Sequence, residues 1–282
     1  MSTCWTWRRA LRAPARTAWL LLALLLAFLA APVEARAQAC AEPVPLRFNA
    51  TSKITRSETG FTQGLQFRNG QLYESTGRIG GSTRLNLISL TGQVTRLADR
   101  GMAVFGEGLT ILNDEVFQLT WQERQVFVYD LAGKPKRQMR NPRDGWGLTN
   151  DGTHLIFSDG GPSIYYADPQ TFAISKAVKI KSNRAGDVVG LNELELVDGK
   201  LYGNIFTTWL IVRLDPSVGC IDAVADLSSL REVMTPDERR QIDRSDEKVL
   251  NGIAHDDQTG LFYLTGKLWR TIFVGRFSER TP

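Results

Sequence analysis

The sequence predicts an all-β protein, a five-bladed β-propeller closed by its N-terminal strand, with one short helical insertion between blades four and five. A phrase in which Gly precedes an aliphatic residue recurs along the chain, with the Gly replaced in one copy. Each copy starts a strand, a turn and a second strand. Such units, repeated every 40 to 60 residues or so, are typical of propellers. The five copies are Gln63-Gly64-Leu65, Glu107-Gly108-Leu109, Trp146-Gly147-Leu148, Asn192-Glu193-Leu194 and Asn251-Gly252-Ile253.

Residues 1–39 are expected to be an export signal. Four arginines precede an apolar run from Ala18 to Ala31, and Ala37-Gln38-Ala39 has the small-x-small pattern of a cleavage site. The apolar run is short for a membrane span. We therefore expect residues 40–282 to form a single propeller domain without a membrane anchor, periplasmic or secreted. Cleavage after Ala37 and a lipoprotein anchored at Cys40 are the alternatives.

The charge and cysteine content fit an exported protein. The formal charge of +4 comes entirely from residues 1–39, so the mature chain is close to neutral, which argues against a nucleic-acid partner. Cys40 and Cys220 remain after the signal, an even pair in an oxidising compartment. A disulfide between them is expected, and two unpaired thiols are the alternative.

Turn chemistry supports the strand assignment. Asn69-Gly70, Asp151-Gly152 and Asp198-Gly199 are hairpin signals, because these residues accept the positive φ of tight turns. A third strand follows in every copy, and a fourth follows in all but the last. The strand from Pro45 to Arg56 has no copy of its own, so we expect it to complete the last blade. A β-sandwich would not explain the recurring phrase.

The helical insertion is predicted between the fourth and fifth units. Thr235-Pro236-Asp237-Glu238 has an N-cap residue, a Pro at the first helical position and a Glu that completes a capping box. The helix should run toward Arg244 on one rim.

Candidate functional residues occupy equivalent positions in the copies. The innermost strands of a propeller surround a channel, so the residues before the Gly-aliphatic steps should converge on one mouth. These residues are Gln63, Glu107, Trp146, Asn192 and Asn251. A second ring is expected from the ends of the second strands, which carry Glu74, Trp121, Asp159, Phe206 and Lys267.

Other chemistries find little support. His154 and His255 are far apart in sequence, which argues against a His-based triad or a zinc site. The segment from Gly260 to Lys267 lacks the spacing of a phosphate-binding loop. We interpret Gly77–Ser82 as a flexible loop.

Eight segments carry a family resemblance: Phe61–Leu65, Leu72–Gly77, Phe105–Thr110, Leu119–Trp121, Gly145–Thr149, Leu191–Glu195, Val249–Ala254 and Thr265–Trp269. They resemble the plant-type glutaminyl-peptide cyclotransferases, which also occur in bacteria, over essentially the whole mature chain. The resemblance implies a five-bladed propeller that converts an N-terminal glutamine into pyroglutamate with loss of ammonia. It implies a site formed by Phe61, Gln63, Phe105, Glu107, Trp121, Trp146, Asn192 and Lys267. One aromatic wall departs from the family pattern, because Phe206 and Trp209 stand near the position of an expected Trp.

The chemistry asks for these residue types. Ring closure needs a neutral α-amine, with a reference pKa of about 8, and a leaving ammonia that receives a proton. Glu107 is the candidate base and then acid for both nitrogens. Gln63, Asn192 and Lys267 are candidate donors to the oxygen of the tetrahedral intermediate. The substrate-binding candidates, which would orient the glutamine, are Phe61, Phe105, Trp121, Trp146, Phe206 and Asn251.

Structural roles are the alternative for each residue: backbone contacts for Glu107 and the amides, packing for the tryptophans, and solvation for Lys267. We expect a monomer that acts on peptides or proteins with an N-terminal Gln. No redox cofactor and no catalytic metal are expected, and a structural cation in the channel remains open. The rival hypothesis is a non-enzymatic exported propeller that binds peptide N-termini through the same mouth.

Overall fold

Antiparallel four-stranded sheets dominate the computed structural model, which describes residues 40–184 and 186–279. The proposed signal, residues 1–39, lies outside the described residues. Three sheets are built from consecutive strands. They contain β2 (Thr62–Arg68), β3 (Gln71–Thr76), β4 (Thr83–Ser89) and β5 (Val94–Gly101); β6 (Gly106–Leu112), β7 (Glu115–Thr120), β8 (Gln125–Asp130) and β9 (Pro135–Arg140); and β10 (Leu148–Asn150), β11 (Leu155–Ser158), β12 (Ser163–Ala167) and β13 (Ile174–Lys179).

The remaining strands form one eight-stranded sheet. Its order is β14-β15-β16-β17-β1-β20-β19-β18. The strands are β1 (Val44–Thr55), β14 (Leu191–Val197), β15 (Lys200–Ile205), β16 (Leu210–Asp215), β17 (Cys220–Asp226), β18 (Leu250–Asp256), β19 (Leu261–Gly266) and β20 (Thr271–Glu279). Two further four-stranded groups, β14–β17 and β18–β20 with β1, are therefore joined edge to edge. The arrangement of the groups is propeller-like.

The N-terminal strand lies where the sequence predicts it. β1 pairs antiparallel with β20 along most of its length and completes the last group. It also pairs parallel with β17 through Val44–Leu46, which the sequence did not predict. The expected disulfide is present between Cys40 and Cys220, with a Cα–Cα distance of 5.4 Å. It fixes the chain ahead of β1 to the start of β17.

The Gly-aliphatic phrase recurs because the first strands of neighbouring groups pack closely. A side chain at Gly108 would bring a Cβ within 2.5 Å of the backbone nitrogen of Leu148, and one at Gly64 would clash with that of Leu109. Contacts link β2, β6, β10, β14 and β18 in this order and return from β18 to β2. Hydrophobic clusters fill the spaces between successive groups, including the space between the last group and the first.

Two helices lie between β17 and β18: α1 (Leu230–Val233), which was not predicted, and α2 (Pro236–Asp243). The Thr235 hydroxyl accepts the N–H of Glu238 at 3.2 Å, so the predicted N-cap is confirmed. The rest of the capping box is wrong. The Glu238 carboxylate instead accepts the N–H groups of Arg270 and Thr271, each at 3.0 Å, and so ties α2 to the start of β20. No helix among the described residues is long and apolar enough to cross a membrane.

Candidate active site

A cavity of roughly 240 Å³ brings together most of the predicted site residues. Its lining comes from the starts of the first strands and from the loops after the second strands. The predicted residues that line it are Phe61, Gln63, Phe105, Glu107, Trp121, Trp146, Asn192, Phe206 and Lys267. Three unpredicted residues, Arg78, Ile79 and Glu247, also line it. The two predicted rings therefore meet at one place.

Three predicted positions lie outside the cavity lining. Asn251 is fully buried behind Gln63. Its Nδ2 donates to the carbonyl of Thr62 at 2.9 Å and to Gln63 Oε1 at 3.4 Å. In the second ring, Glu74 is buried in an ion pair, and Asp159 pairs with Arg143 at 2.6 Å. Neither carboxylate lines the cavity, so the prediction that the second ring places them there is wrong for both.

Glu107 has the environment of a functional carboxylate. It lines the cavity from β6 and is only 6% exposed, yet the described residues offer its oxygens no hydrogen bond. Burial raises its pKa well above the usual 4.5, Glu123 adds to the rise, and the charge of Lys267 opposes it. A buried carboxyl group with a raised pKa holds a proton more readily than an exposed one, as a group that accepts and returns a proton must.

Glu193, on β14, provides the structural counterpart to Glu107, with β10 between their two strands. It replaces the glycine in the fourth copy of the phrase and is fully buried. Its two oxygens accept the N–H groups of Leu65 at 3.1 Å and Ile253 at 2.8 Å. The carboxylate thus bonds β14 to β2 and β18. The backbone role that sequence offered as an alternative for Glu107 belongs to Glu193.

Lys267 lies between two aromatic rings. Its Nζ is 5.2 Å from the ring centroid of Phe61 and 4.9 Å from that of Phe206, within the range of cation–π attraction. Burial lowers its pKa, and the charge of Glu107 opposes this shift. The next residue, Leu268, has φ 61° and donates its N–H to the carbonyl of Gly60 at 2.8 Å. This turn fixes the lysine at the end of β19.

The amide side chains differ in how they are paired. Gln63 Nε2 donates to the carbonyl of Gly77 at 3.3 Å, and its oxygen contacts Asn251. Asn192 lines the cavity, and its Oδ1 is buried without a hydrogen-bond partner among the described residues. A buried acceptor of this kind costs stability unless something bonds it. A substrate N–H would complete the pairing of Asn192.

Two aromatic pairs form the walls. Phe105 meets Trp121 edge to face, and Trp146 meets Phe206 edge to face, each with centroids 5.5 Å apart. Gly160 leaves room for the indole, because a Cβ there would lie 2.7 Å from Trp146 atoms.

The structure shows which of Phe206 and Trp209 stands in the cavity wall where the family pattern has a Trp. Phe206 fills the wall next to Trp146 and is 37% exposed, whereas Trp209 packs against Trp269 with centroids 5.2 Å apart. The wall is therefore aromatic but smaller than an indole would make it.

Two of the three missed cavity residues had a signal in the sequence. Arg78 and Ile79 follow β3 just as Trp121 follows β7 and Lys267 follows β19. The loop assignment of Gly77–Ser82 concealed that equivalence. Glu247 precedes β18 in the insertion and has no equivalent in the other copies, so repetition could not identify it.

The fold and the cavity together define a class: a propeller-like β protein that holds a buried carboxylate and a buried lysine between aromatic walls. Residues 20–277 match the family model described as glutamine cyclotransferase, and the chain belongs to this family. It is 37% identical to the glutaminyl-peptide cyclotransferase of Arabidopsis thaliana over 216 residues, which cover 76% of this chain and 66% of that protein. The crystal structure of Myxococcus xanthus glutaminyl cyclase is similar, with a TM-score of 0.73 and 31% identity, over 85% of this chain and 100% of that one.

Proposed function

We propose that this protein is a glutaminyl-peptide cyclotransferase that converts the N-terminal glutamine of peptides or proteins into pyroglutamate and ammonia. The observation that carries the proposal is the state of Glu107, a buried carboxyl group in an aromatic cavity without a protein hydrogen bond. A structural carboxylate would be bonded as Glu193 is. The family membership and the two glutaminyl cyclase relatives support the same activity.

In the proposed reaction Glu107 moves one proton between two nitrogens. The neutral α-amine attacks the carbon of the γ-amide, and Glu107 accepts the proton that the amine loses. The tetrahedral intermediate then expels the amide nitrogen, and Glu107 returns the proton to it so that ammonia leaves. One C–N bond forms, another breaks, and Glu107 ends as it began. Burial raises the pKa of Glu107, which makes the carboxylate a stronger base toward the amine proton than an exposed glutamate would be.

The neighbouring residues orient the glutamine and stabilise charge. Lys267 faces the developing oxyanion, since a cation in a water-poor cavity stabilises it more than one in water would. The unpaired Oδ1 of Asn192 accepts an N–H of the substrate, which differs from the donor role that the sequence suggested. Gln63, held by Asn251, donates to the substrate. Trp121 and Trp146 flank the aliphatic part of the side chain and favour a folded, reactive conformation.

We also infer that the five groups of strands are the blades of a closed propeller. The support comes from the order of first-strand contacts, which returns from β18 to β2, and from the hydrophobic cluster between the last and first groups. A closed ring explains why strand starts from four different groups reach one cavity.

We infer that the protein acts in an oxidising compartment, the periplasm or the outside of the cell. The Cys40–Cys220 disulfide supports this location, because such bonds persist mainly in exported proteins.

The test is ammonia release from a glutaminyl dipeptide by the purified mature protein, with pyroglutamate identified by mass. The rival hypothesis, a peptide-binding protein without activity, predicts binding but no ammonia. In that rival Glu107 would only pair with the terminal ammonium of the ligand, so ammonia release, and not binding, distinguishes the two hypotheses.

A further inference from the structure

We propose that the buried ion pair of Arg56 and Glu74 is a positioning device that aligns Phe61, Gln63 and Lys267 for the reaction. The inference rests on the proposed function and assigns to it two residues that do not line the reaction cavity. Both side chains are excluded from solvent, and Arg56 Nη2 lies 2.7 Å from Glu74 Oε1.

The pair is bonded directly to the segment that carries two cavity residues. Thr62 lies between Phe61 and Gln63 in the chain. Its hydroxyl donates to Glu74 Oε1 at 2.6 Å and accepts from Arg56 Nη1 at 3.2 Å. Asn86 holds the other carboxylate oxygen at 2.9 Å. The start of β2 is therefore attached to the pair by its side chain as well as by its backbone.

Gly60 extends the attachment to the lysine. A Cβ on Gly60 would lie 2.8 Å from Arg56 Nη2 and from both carboxylate oxygens of Glu74, so the glycine backbone lies directly on the ion pair. The carbonyl of Gly60 accepts the N–H of Leu268, the residue after Lys267. The Lys267 turn is thus bonded to a glycine whose backbone lies on the pair.

The location of the pair favours a role beyond general stability. A buried ion pair contributes little net stability compared with well-packed apolar residues, because desolvation offsets the attraction. Here every hydrogen bond of the pair fixes either its own geometry or the segment below the cavity. The pair acts through Thr62 and Gly60, and neither charge belongs to the cavity lining.

The first test is Glu74→Gln, with ammonia release and thermal unfolding measured together. Displacing reacting groups by about 1 Å costs on the order of 100-fold in rate, so we expect kcat to fall about 10- to 100-fold in protein that is still folded. The matched control is Glu238→Gln, which loses a comparably buried carboxylate that bonds β20 and lies away from the cavity. It leaves no buried charge unpaired, so it should lower the melting temperature less than Glu74→Gln does. Its kcat should stay within about twofold of wild type, far from that positioning loss.

A second variant separates positioning from folding. In the double variant Arg56→Met with Glu74→Leu, both charges are removed, so no charge is left buried and unpaired and the fold should be retained. Its kcat should stay low, because Thr62 and Gly60 have lost their contacts. A merely structural pair predicts recovery of kcat along with stability.

The alkaline limb of the pH–rate profile gives a further test, because a loss of stability alone would not shift its position. Burial lowers the pKa of Lys267. A displaced turn would admit water, so the alkaline limb should move to higher pH in both variants. Glu107, Arg78 and Glu247, the other charged groups of the cavity, are unchanged in them. The inference would be overturned if folded Glu74→Gln and the double variant both kept the kcat and the alkaline limb of wild type. A wild type that releases no ammonia would overturn the proposed function and this inference with it.

Discussion

Glu107 and Glu193 occupy neighbouring positions in copies of one phrase, and their surroundings decide what each does. Both are buried, and burial raises the pKa of both. Backbone N–H groups bond Glu193, whereas the described residues leave Glu107 without a hydrogen bond. The residue type alone does not distinguish a carboxylate that transfers a proton from one that holds strands together. The presence or absence of a fixed hydrogen-bond partner does.

Glu107→Gln should lower kcat by about 10²- to 10⁴-fold, the contribution typical of a general acid–base group. The amide matches the carboxyl group in size but cannot carry the proton between the two nitrogens. The measurement is kcat on one glutaminyl dipeptide for both proteins. A variant within about threefold of wild type, well short of that contribution, would mean that Glu107 is structural.

Melting curves at several pH values provide the control for this variant. The folded-state pKa of Glu107 is raised above 4.5, so its favourable contribution to stability is complete below that pH and is lost as pH rises through the folded pKa. Glutamine has no such loss. The melting temperature of the variant minus that of wild type should therefore be larger at pH 8 than at pH 4. If this difference were smaller at pH 8 than at pH 4, the pKa of Glu107 would not be raised in the folded protein.

Lys267 should set the alkaline limb of kcat. Burial lowers its pKa, so the cation is lost at a lower pH than for an exposed lysine. In Lys267→Arg the side chain stays charged, and the alkaline limb should disappear even if the rate falls. The comparison is the pH dependence of kcat from pH 6 to pH 10. An unchanged limb in the arginine variant would show that another group titrates there.

At the scale of elements, the first strands are held together by side chains as well as by packing. Gln66 Oε1 accepts the N–H of Ile111 at 2.5 Å, and Glu195 accepts that of His255 at 3.0 Å. Glu193 does the same for two strands at once. The cavity residues start these strands, so their alignment depends on such bonds.

Glu193→Leu should destabilise the fold by about 2 to 6 kcal/mol, because two buried N–H groups lose their acceptor. The free energy of unfolding in denaturant measures the loss. Glu232→Leu, a substitution at an exposed glutamate of α1, is the matched control. A Glu193 variant within about 0.5 kcal/mol of wild type, as expected for a surface change, would show that the bonds from Leu65 and Ile253 are dispensable.

Local turn chemistry made most strands predictable, and distant contacts explain what was missed. Asn-Gly and Asp-Gly turns and the repeated glycine are signals within a few residues of the strands they delimit. Glu238 bonds Arg270 and Thr271, and Glu74 bonds Arg56, across separations that carry no pattern in one sequence. The prediction of Glu107 and Lys267 depended on equivalence between copies and on family resemblance. Glu247 lies in an insertion without a copy, so neither argument could reach it.

At the scale of the whole molecule, the proposed chemistry is complete without a bound ion. Ammonia release should survive prolonged chelation and dialysis, because Glu107 and Lys267 supply the proton transfer and the charge. Activity and melting temperature are measured before and after treatment. Complete loss of activity with the fold intact, restored by a divalent ion, would show that the metal-free mechanism is wrong. A lower melting temperature with activity retained would indicate a structural cation in the channel.

The disulfide should contribute most of its stability through the unfolded chain. It closes a segment with a sequence separation of 180 residues and lies beside the parallel pairing of β1 with β17 that joins the last two groups. Loop-closure entropy for so long a segment corresponds to about 5 kcal/mol. At about 2 to 4 °C per kcal/mol for a chain of this size, the double variant Cys40→Ser with Cys220→Ser should melt about 10 to 20 °C lower.

The paired control is wild-type protein reduced with a thiol, which should melt at the same temperature as the double cysteine variant. Turnover below the melting transition should be close to that of wild type, because neither cysteine lines the cavity. Two freely alkylated thiols in protein recovered from an oxidising compartment would contradict the bond itself. If the double cysteine variant melted at the same temperature as wild type, strand pairing and core contacts alone would hold β1 in place.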